Sequence, residues 1–162
     1  MRVLLVMRHA KSDWGGGADS DHERPLAPRG IKAARRMGRL LRESGATPDL
    51  VLSSTAVRAL TTAELAAKAG GFRCPIVAED ALYASDPDRV LELVARVDDG
   101  VRRLLIAGHE PTSSELVRQL TGGVVRMPTA AVACLDLADG GWAELGPGRC
   151  TLRWLVTPKM LE

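Results

Sequence analysis

A chain of 162 residues, 46% apolar and 26% charged, has the make-up of an ordinary globular protein, which excludes a wholly disordered or fibrous one. Its net charge is only +2, and its aromatics, Trp14, Phe72, Tyr83, Trp142 and Trp154, are scattered, so no nucleic-acid partner is expected. The length suits a single domain, 1–162, around one core, and no apolar run is long enough for a membrane span.

Met1-Arg2-Val3 leads straight into an apolar run, so no signal peptide is expected. Cys74, Cys134 and Cys150 are odd in number and lack paired ligand spacing. The expected setting is therefore reduced and cytoplasmic, with no disulfide framework, no metal and no cofactor.

Val3-Leu4-Leu5-Val6 has the pattern of a strand buried on both faces of a parallel sheet. Met7-Arg8-His9 follows at once, and in open α/β sheets the chemistry gathers outside the carboxyl ends of such strands. An arginine fork fixes an oxyanion, and a neutral histidine beside it can attack the centre so held. The loop from Gly15-Gly16-Gly17 to Arg24-Pro25-Leu26 is a candidate rim of the site. Pro28 to Ser44 predicts a helix, with Ile31, Ala34, Met37 or Gly38, and Leu41 on one face. Its other faces carry Arg29, Lys32, Arg35, Arg36, Arg39 and Arg42, a pattern read as a solvated surface in preference to a docking site for an acidic partner.

Asp49-Leu50-Val51-Leu52 reads as the second strand. Ser53-Ser54-Thr55 is expected to cap a second helix that ends at Gly70-Gly71. Arg58 then falls in that helix's first turn, where free N–H groups and the dipole favour an anion. Pro75–Ala78 is a third strand. Ser85-Asp86-Pro87 opens a third helix, with Val90, Leu91, Val94 and Val97 toward the core. Arg103–Ala107 is a fourth strand, followed by Gly108-His109-Glu110-Pro111 and a helix through Leu116, Val117 and Leu120 to Gly122-Gly123. Val132–Leu137 and Thr151–Val156 read as two further strands, edge or antiparallel, joined by a glycine-rich turn. The alternation predicts an α/β fold, a three-layer α/β/α sandwich with a mostly parallel central sheet.

Crossover topology brings the ends of parallel strands to one edge, so Arg8, His9, Arg58 and His109 converge although far apart in sequence. Two arginine forks and a protonated His109 match the charge of a phosphoryl group, each charge-assisted bond contributing ~1.5–3 kcal/mol. His9 is the neutral partner, attacking phosphorus in line. A lone histidine is more often a packed or surface residue, and His22, in a polar loop, is read that way. Two histidines at matching strand ends, each with a small neighbour, favour chemistry. The P-loop, H-E-x-x-H and G-x-S-x-G patterns are absent.

Four ordered motifs resemble the histidine phosphatase superfamily, also called phosphoglycerate mutase-like, and within it the small SixA-type phosphohistidine phosphatase branch. Arg8-His9-Ala10 resembles its R-H-G, with alanine for glycine. Asp21-x-x-Arg24-Pro25-Leu26-x-x-x-Gly30 and Ser53-Ser54-x-x-x-Arg58-Ala59-x-x-Thr62-Ala63 resemble two further segments, and Gly108-His109-Glu110-Pro111 resembles G-H-[NE]-P. The similarity runs from residue 2 to about residue 137. The resemblance implies a phosphoglycerate mutase-like fold with a minimal lid and a covalent phosphohistidine on His9. It also implies a phosphate pocket of Arg8, Arg58 and His109. For the general acid it offers Glu110, directly after the second histidine, or Glu79 or Asp80 after another strand, and Glu110 is preferred. The expected activity is that of a metal-independent phosphatase. Its substrate would be a phosphorylated protein, such as a phosphohistidine protein, or a small phosphorylated metabolite. A phosphosugar mutase and a non-catalytic phospholigand-binding module are the alternatives.

Overall fold

The computed structural model describes residues 1–162. Six strands, β1 (Arg2–Arg8), β2 (Leu50–Ser54), β3 (Ile76–Glu79), β4 (Arg103–Gly108), β5 (Val132–Leu137) and β6 (Cys150–Val156), form one sheet in the order β3-β2-β4-β1-β5-β6. β1 to β4 pair in parallel, and β5 alone runs against its neighbours β1 and β6. The sheet is thus mostly parallel, as expected. β5 is antiparallel but not an edge: it lies between β1 and β6, and both its faces are covered. Like β1, a strand buried on both sides needs no polar alternation.

Four helices, α1 (Pro28–Glu43), α2 (Val57–Gly70), α3 (Pro87–Val94) and α4 (Thr112–Thr121), cover the two faces. Successive strand side chains point to opposite sides. Leu5 and Met7 of β1 therefore pack with Ala34, Met37 and Leu41 of α1 and Ala63 and Ala66 of α2. Leu4 and Val6 pack instead with Val90 and Val94 of α3 and with Leu116, Val117 and Leu120 of α4. Leu4, Leu5, Val6 and Met7 are all buried, each contributing roughly 1.5–3 kcal/mol of hydrophobic stabilisation. The run that predicted β1 is the seam between the two cores.

Local expectations hold with three changes. Asp86 caps α3 by accepting from the Arg89 N–H at 3.0 Å, but the helix stops at Val94, before Val97. The hydroxyls of Ser53, Ser54 and Thr55 do not cap α2, whose N-cap is Ala56. β2 extends through Ser54, so its hydroxyl is spent at the sheet edge, accepting from the Ala56 N–H and contacting His109. The glycine-rich turn before β6 also carries more structure than expected. A short 3-10 turn, Trp142–Glu144, buries Trp142, whose indole N–H donates to the Val101 carbonyl at 2.8 Å. The three cysteines are free, and no helix is long and apolar enough to cross a membrane.

α1 and α2 meet through glycine. A Cβ on Gly38 would lie 2.1 Å from the Ala66 carbonyl oxygen, a backbone atom that has nowhere to go. In an open helix, glycine to alanine stabilises by roughly 1 kcal/mol. Here the sign should reverse. Gly38→Ala should destabilise the protein by about 1–3 kcal/mol, lowering the thermal midpoint by about 3–10 °C. A melt that matches or exceeds wild type would contradict this packing.

Candidate active site

The carboxyl ends of β1, β2 and β4 are adjacent in the sheet, so the residues that leave them share one cleft of about 360 Å³. Arg8, His9, Arg58, His109 and Glu110 all line it. The His9 N–H donates to the Gly108 carbonyl and the Ala130 N–H to the His9 carbonyl, so the backbone of His9 continues the sheet beyond β1. The following Ala10 N–H donates to Thr62 Oγ1 at 2.9 Å, and that hydroxyl donates to the Arg58 carbonyl at 2.6 Å. One buried threonine thereby ties the histidine loop to the first turn of α2. On the other side, Gly30 lets α1 close on the same loop, since a Cβ there would lie 2.1 Å from the Lys11 carbonyl oxygen.

Asp21 organises the cationic wall. Arg58 donates to the Asp21 carbonyl oxygen at 2.7 Å and to its Oδ2 at 3.0 Å. Arg24 donates to Oδ1 at 2.9 Å and also to Ser12 Oγ, while the Tyr83 hydroxyl donates to Oδ2 at 2.8 Å. Trp14 lies over the Arg24 guanidinium, 3.6 Å from the ring centroid, although it is 76% exposed. The hydrogen bonds from Arg24, then Tyr83 and Arg58, hold the Asp21 carboxyl well below the usual carboxylate range. Asp21 is therefore a fixed anion and cannot serve as a proton donor. Arg8, by contrast, has no carboxylate partner within salt-bridge distance and donates only to the Met127 carbonyl, at 3.2 Å. The cleft lining includes Arg8, Lys11, Arg24 and Arg58 against Asp21 and Glu110, a net positive wall suited to a dianion.

The two histidine rings face each other at 5.2 Å between centroids. Burial above all, then His109, Arg58 and Arg8, lowers His9 to about 3 against the opposing pull of the Ala10 carbonyl. His9 is therefore neutral at physiological pH. Its Nδ1 lies 2.7 Å from the Ala10 carbonyl oxygen, which can only accept. The proton belongs on Nδ1, and Nε2 keeps a lone pair with no hydrogen-bond partner. His109 is lowered to about 4 by burial and then by Arg58. The protonated His109 expected from the sequence is thus uncharged at neutral pH, and a dianion beside it is what would raise its affinity for a proton.

Glu110 lines the cleft, but both its oxygens are occupied. Oε1 accepts from the Ser114 N–H at 2.8 Å and Oε2 from the Ser114 hydroxyl at 2.5 Å. It thereby satisfies a free amide in the first turn of α4. Glu79 ends β3 and Asp80 accepts from the Thr55 hydroxyl; neither lines the cleft. His22 also lies outside it, 2.8 Å from Thr55 through Nε2, edge-on to Tyr83. Sequence reasoning gave no role to Ser12, Asp21, Arg24, Thr62 or Tyr83. Asp21, Arg24 and Thr62 were visible only as positions in motifs, and nothing local singled out Tyr83.

Comparison with known proteins agrees with this fold. An uncharacterized protein of Mycobacterium tuberculosis is 40% identical over 164 residues, covering 94% of this chain and 100% of that protein. Among solved structures, the protein histidine phosphatase SixA complexed with tungstate superposes with a TM-score of 0.85 at 26% identity, covering 99% of both chains. A candidate phosphohistidine phosphatase SixA from Nakamurella multipartitia gives 0.86 at 29% identity, covering 97% of this chain and 96% of that one. The sequence model of the histidine phosphatase superfamily (branch 1) matches residues 4–89, the stretch that contains His9, Asp21, Arg24, Arg58 and Tyr83. The chain belongs to that superfamily.

Proposed function

We propose that the chain is a metal-independent phosphatase that works through a covalent phosphohistidine on His9. The observation that carries this reading is the neutral His9 imidazole, with Nε2 unengaged, set beside Arg8, Arg58 and His109 in one cleft. Arg8 and Arg58 bind the phosphoryl oxygens and supply the charge that a metal would otherwise supply. Nε2 attacks phosphorus in line, a P–N bond forms and the bond to the leaving group breaks. Water then attacks the phosphohistidine, releasing inorganic phosphate and restoring neutral His9. A non-catalytic phospholigand module would have no use for the free nucleophile, and a mutase would need a cover against water. Only Tyr83–Asp86 separates the 3-10 turn Asp80–Leu82 from α3 here, so the site has little to close over it.

The substrate reading is a phosphohistidine on a protein. The leaving imidazole needs far less proton assistance than an alkoxide. No poised acid is required of a site whose Asp21 is held ionised and whose Glu110 is engaged by Ser114. The likeness to SixA structures supports the same reading.

Rapid quench with labelled aryl phosphate, in excess chelator, should trap an acid-labile, alkali-stable phosphoenzyme. His9→Ala should abolish it and lower turnover by at least about 10³-fold. Stoichiometric labelling of His9→Ala, or activity that returns only with added metal, would refute the mechanism.

Glu110→Gln should leave kcat/KM for a phosphohistidine peptide and an aryl phosphate within about threefold of wild type. Loss of roughly 10²-fold or more on an alkyl phosphate, with these two substrates spared, would instead assign the proton donor to Glu110.

His9 and His109 are both lowered, to about 3 and about 4, from an ordinary value near 6.5. The unfolded chain therefore binds more protons between these limits. Stability is full above about pH 6.5 and falls as pH drops toward 4 and then 3. Imidazole ¹⁵N spectra at pH 5.5 should show both rings uncharged, and the acid loss of thermal stability should be shallower in His9→Asn and His109→Asn. A charged His9 at pH 5.5 would contradict the burial argument.

A further inference from the structure

A second concave surface adjoins the cleft and is not needed for phosphoryl transfer. It is a groove of about 570 Å³ between α1, the segment Pro128–Thr129 and the C-terminal 3-10 turn Pro158–Leu161. Lys11 and Thr129 line both it and the catalytic cleft, so the two are continuous. Its charged lining is Lys11, Arg29, Lys32, Arg36 and Lys159 against the single acid Glu162. None of the five cations enters an ion pair, whereas Arg2, Arg24, Arg58, Arg149 and Arg153 all do.

The placement opposes helix stability. Arg29 stands in the first turn of α1, where the dipole is positive, and that turn has no acidic residue. Arg29, Lys32 and Arg36 follow at i, i+3 and i+7, one face of the helix, over roughly 10 Å at 1.5 Å per residue. A small phosphorylated metabolite needs donors that converge on one point. These cations are instead strung in a line that leads away from His9, and such a line fits a row of carboxylates on a chain.

We infer that this groove docks an acidic segment of a phosphorylated protein substrate, lying beside the phosphorylated residue while that residue enters the cleft. The inference rests on the phosphatase reading and names the kind of substrate that the site selects. Lys11, pinned by the Ala27 N–H and by the close approach of Gly30, is where the two surfaces join. Because the docking charges are exposed or half-buried, their effect is screened by salt and falls on KM.

Two synthetic twelve-residue peptides, each with one phosphohistidine made by phosphoramidate, test this: one flanked by four glutamates, the other by four glutamines. Aryl phosphate turnover reports the catalytic machinery alone. Wild type should prefer the glutamate peptide by roughly tenfold in kcat/KM at low salt, the product of several screened ion pairs, with the difference in KM. The preference should collapse at about 0.5 M salt, where the screening length is a few ångströms. The triple variant Arg29→Ala, Lys32→Ala, Arg36→Ala should lose the preference while hydrolysing aryl phosphate at the wild-type rate. Equal kcat/KM for the two peptides in wild type, or an undiminished preference in the triple variant, would overturn the docking role. Competition by tripolyphosphate that the triple variant abolishes, without a glutamate preference, would assign the groove to a small polyanion instead. Failure of wild type on all three substrates would count against the phosphatase reading itself; anisotropy of the labelled glutamate and glutamine peptides on wild type and triple variant then decides the docking role.

Discussion

Two buried guanidiniums cannot stand close together in a protein without a counter-charge, and Asp21 supplies it. Its carboxylate accepts from Arg24, Arg58 and Tyr83, and its carbonyl accepts a further bond from Arg58. Breaking such a set from one side leaves the buried guanidiniums uncompensated, at a cost reduced by the half-exposure of Asp21 to solvent. The arrangement fixes how Arg58 presents its remaining donors, and it leaves Arg8 as the cleft arginine with no anion of its own. The cationic wall is therefore partly satisfied by the protein and partly left for a ligand.

The sheet makes this economical. β1, β2 and β4 end together, so the side chains that follow them meet without long connections. Thr62 and Gly30 then lock the His9 loop from two directions, one by hydrogen bonds from α2 and one by close backbone contact with α1. A side chain held this way needs little reorganisation, and in the proposed role of nucleophile that positioning lowers the barrier. The neutral state of His9 comes from the same burial that holds it.

The parts legible in the sequence were those encoded locally. The apolar run before Arg8 gave β1, the periodicity of α1 and the Asp86-Pro87 start of α3 gave those helices, and strand ends pointed to Arg8, His9, Arg58 and His109. The role of Asp21 was not legible, because its partners come from positions 3, 37 and 62 residues away along the chain. Ser54 and Thr62 were hidden for a similar reason: a hydroxyl that could cap a helix can equally bind across to another segment. β5 was read over Val132–Leu137, as found, but its place in the sheet stayed open, because pairing direction depends on the strands beside it rather than on its own pattern. Glu110, preferred as the general acid on the resemblance, makes a contact that the sequence did not assign, to Ser114 four residues on in the first turn of α4.

Asp21 belongs to the loop between β1 and α1 rather than to a strand or helix, and nearly half of its side chain is exposed. The anchor of a buried cation thus rides on one of the less deeply packed segments around the site. Where that loop sits determines how many donors Arg58 spends internally and how many remain for an incoming oxyanion. Loop position and anion affinity are therefore linked quantities, and the linkage is reciprocal: an oxyanion that draws on Arg58 biases the loop by the same free energy with which the loop biases oxyanion binding.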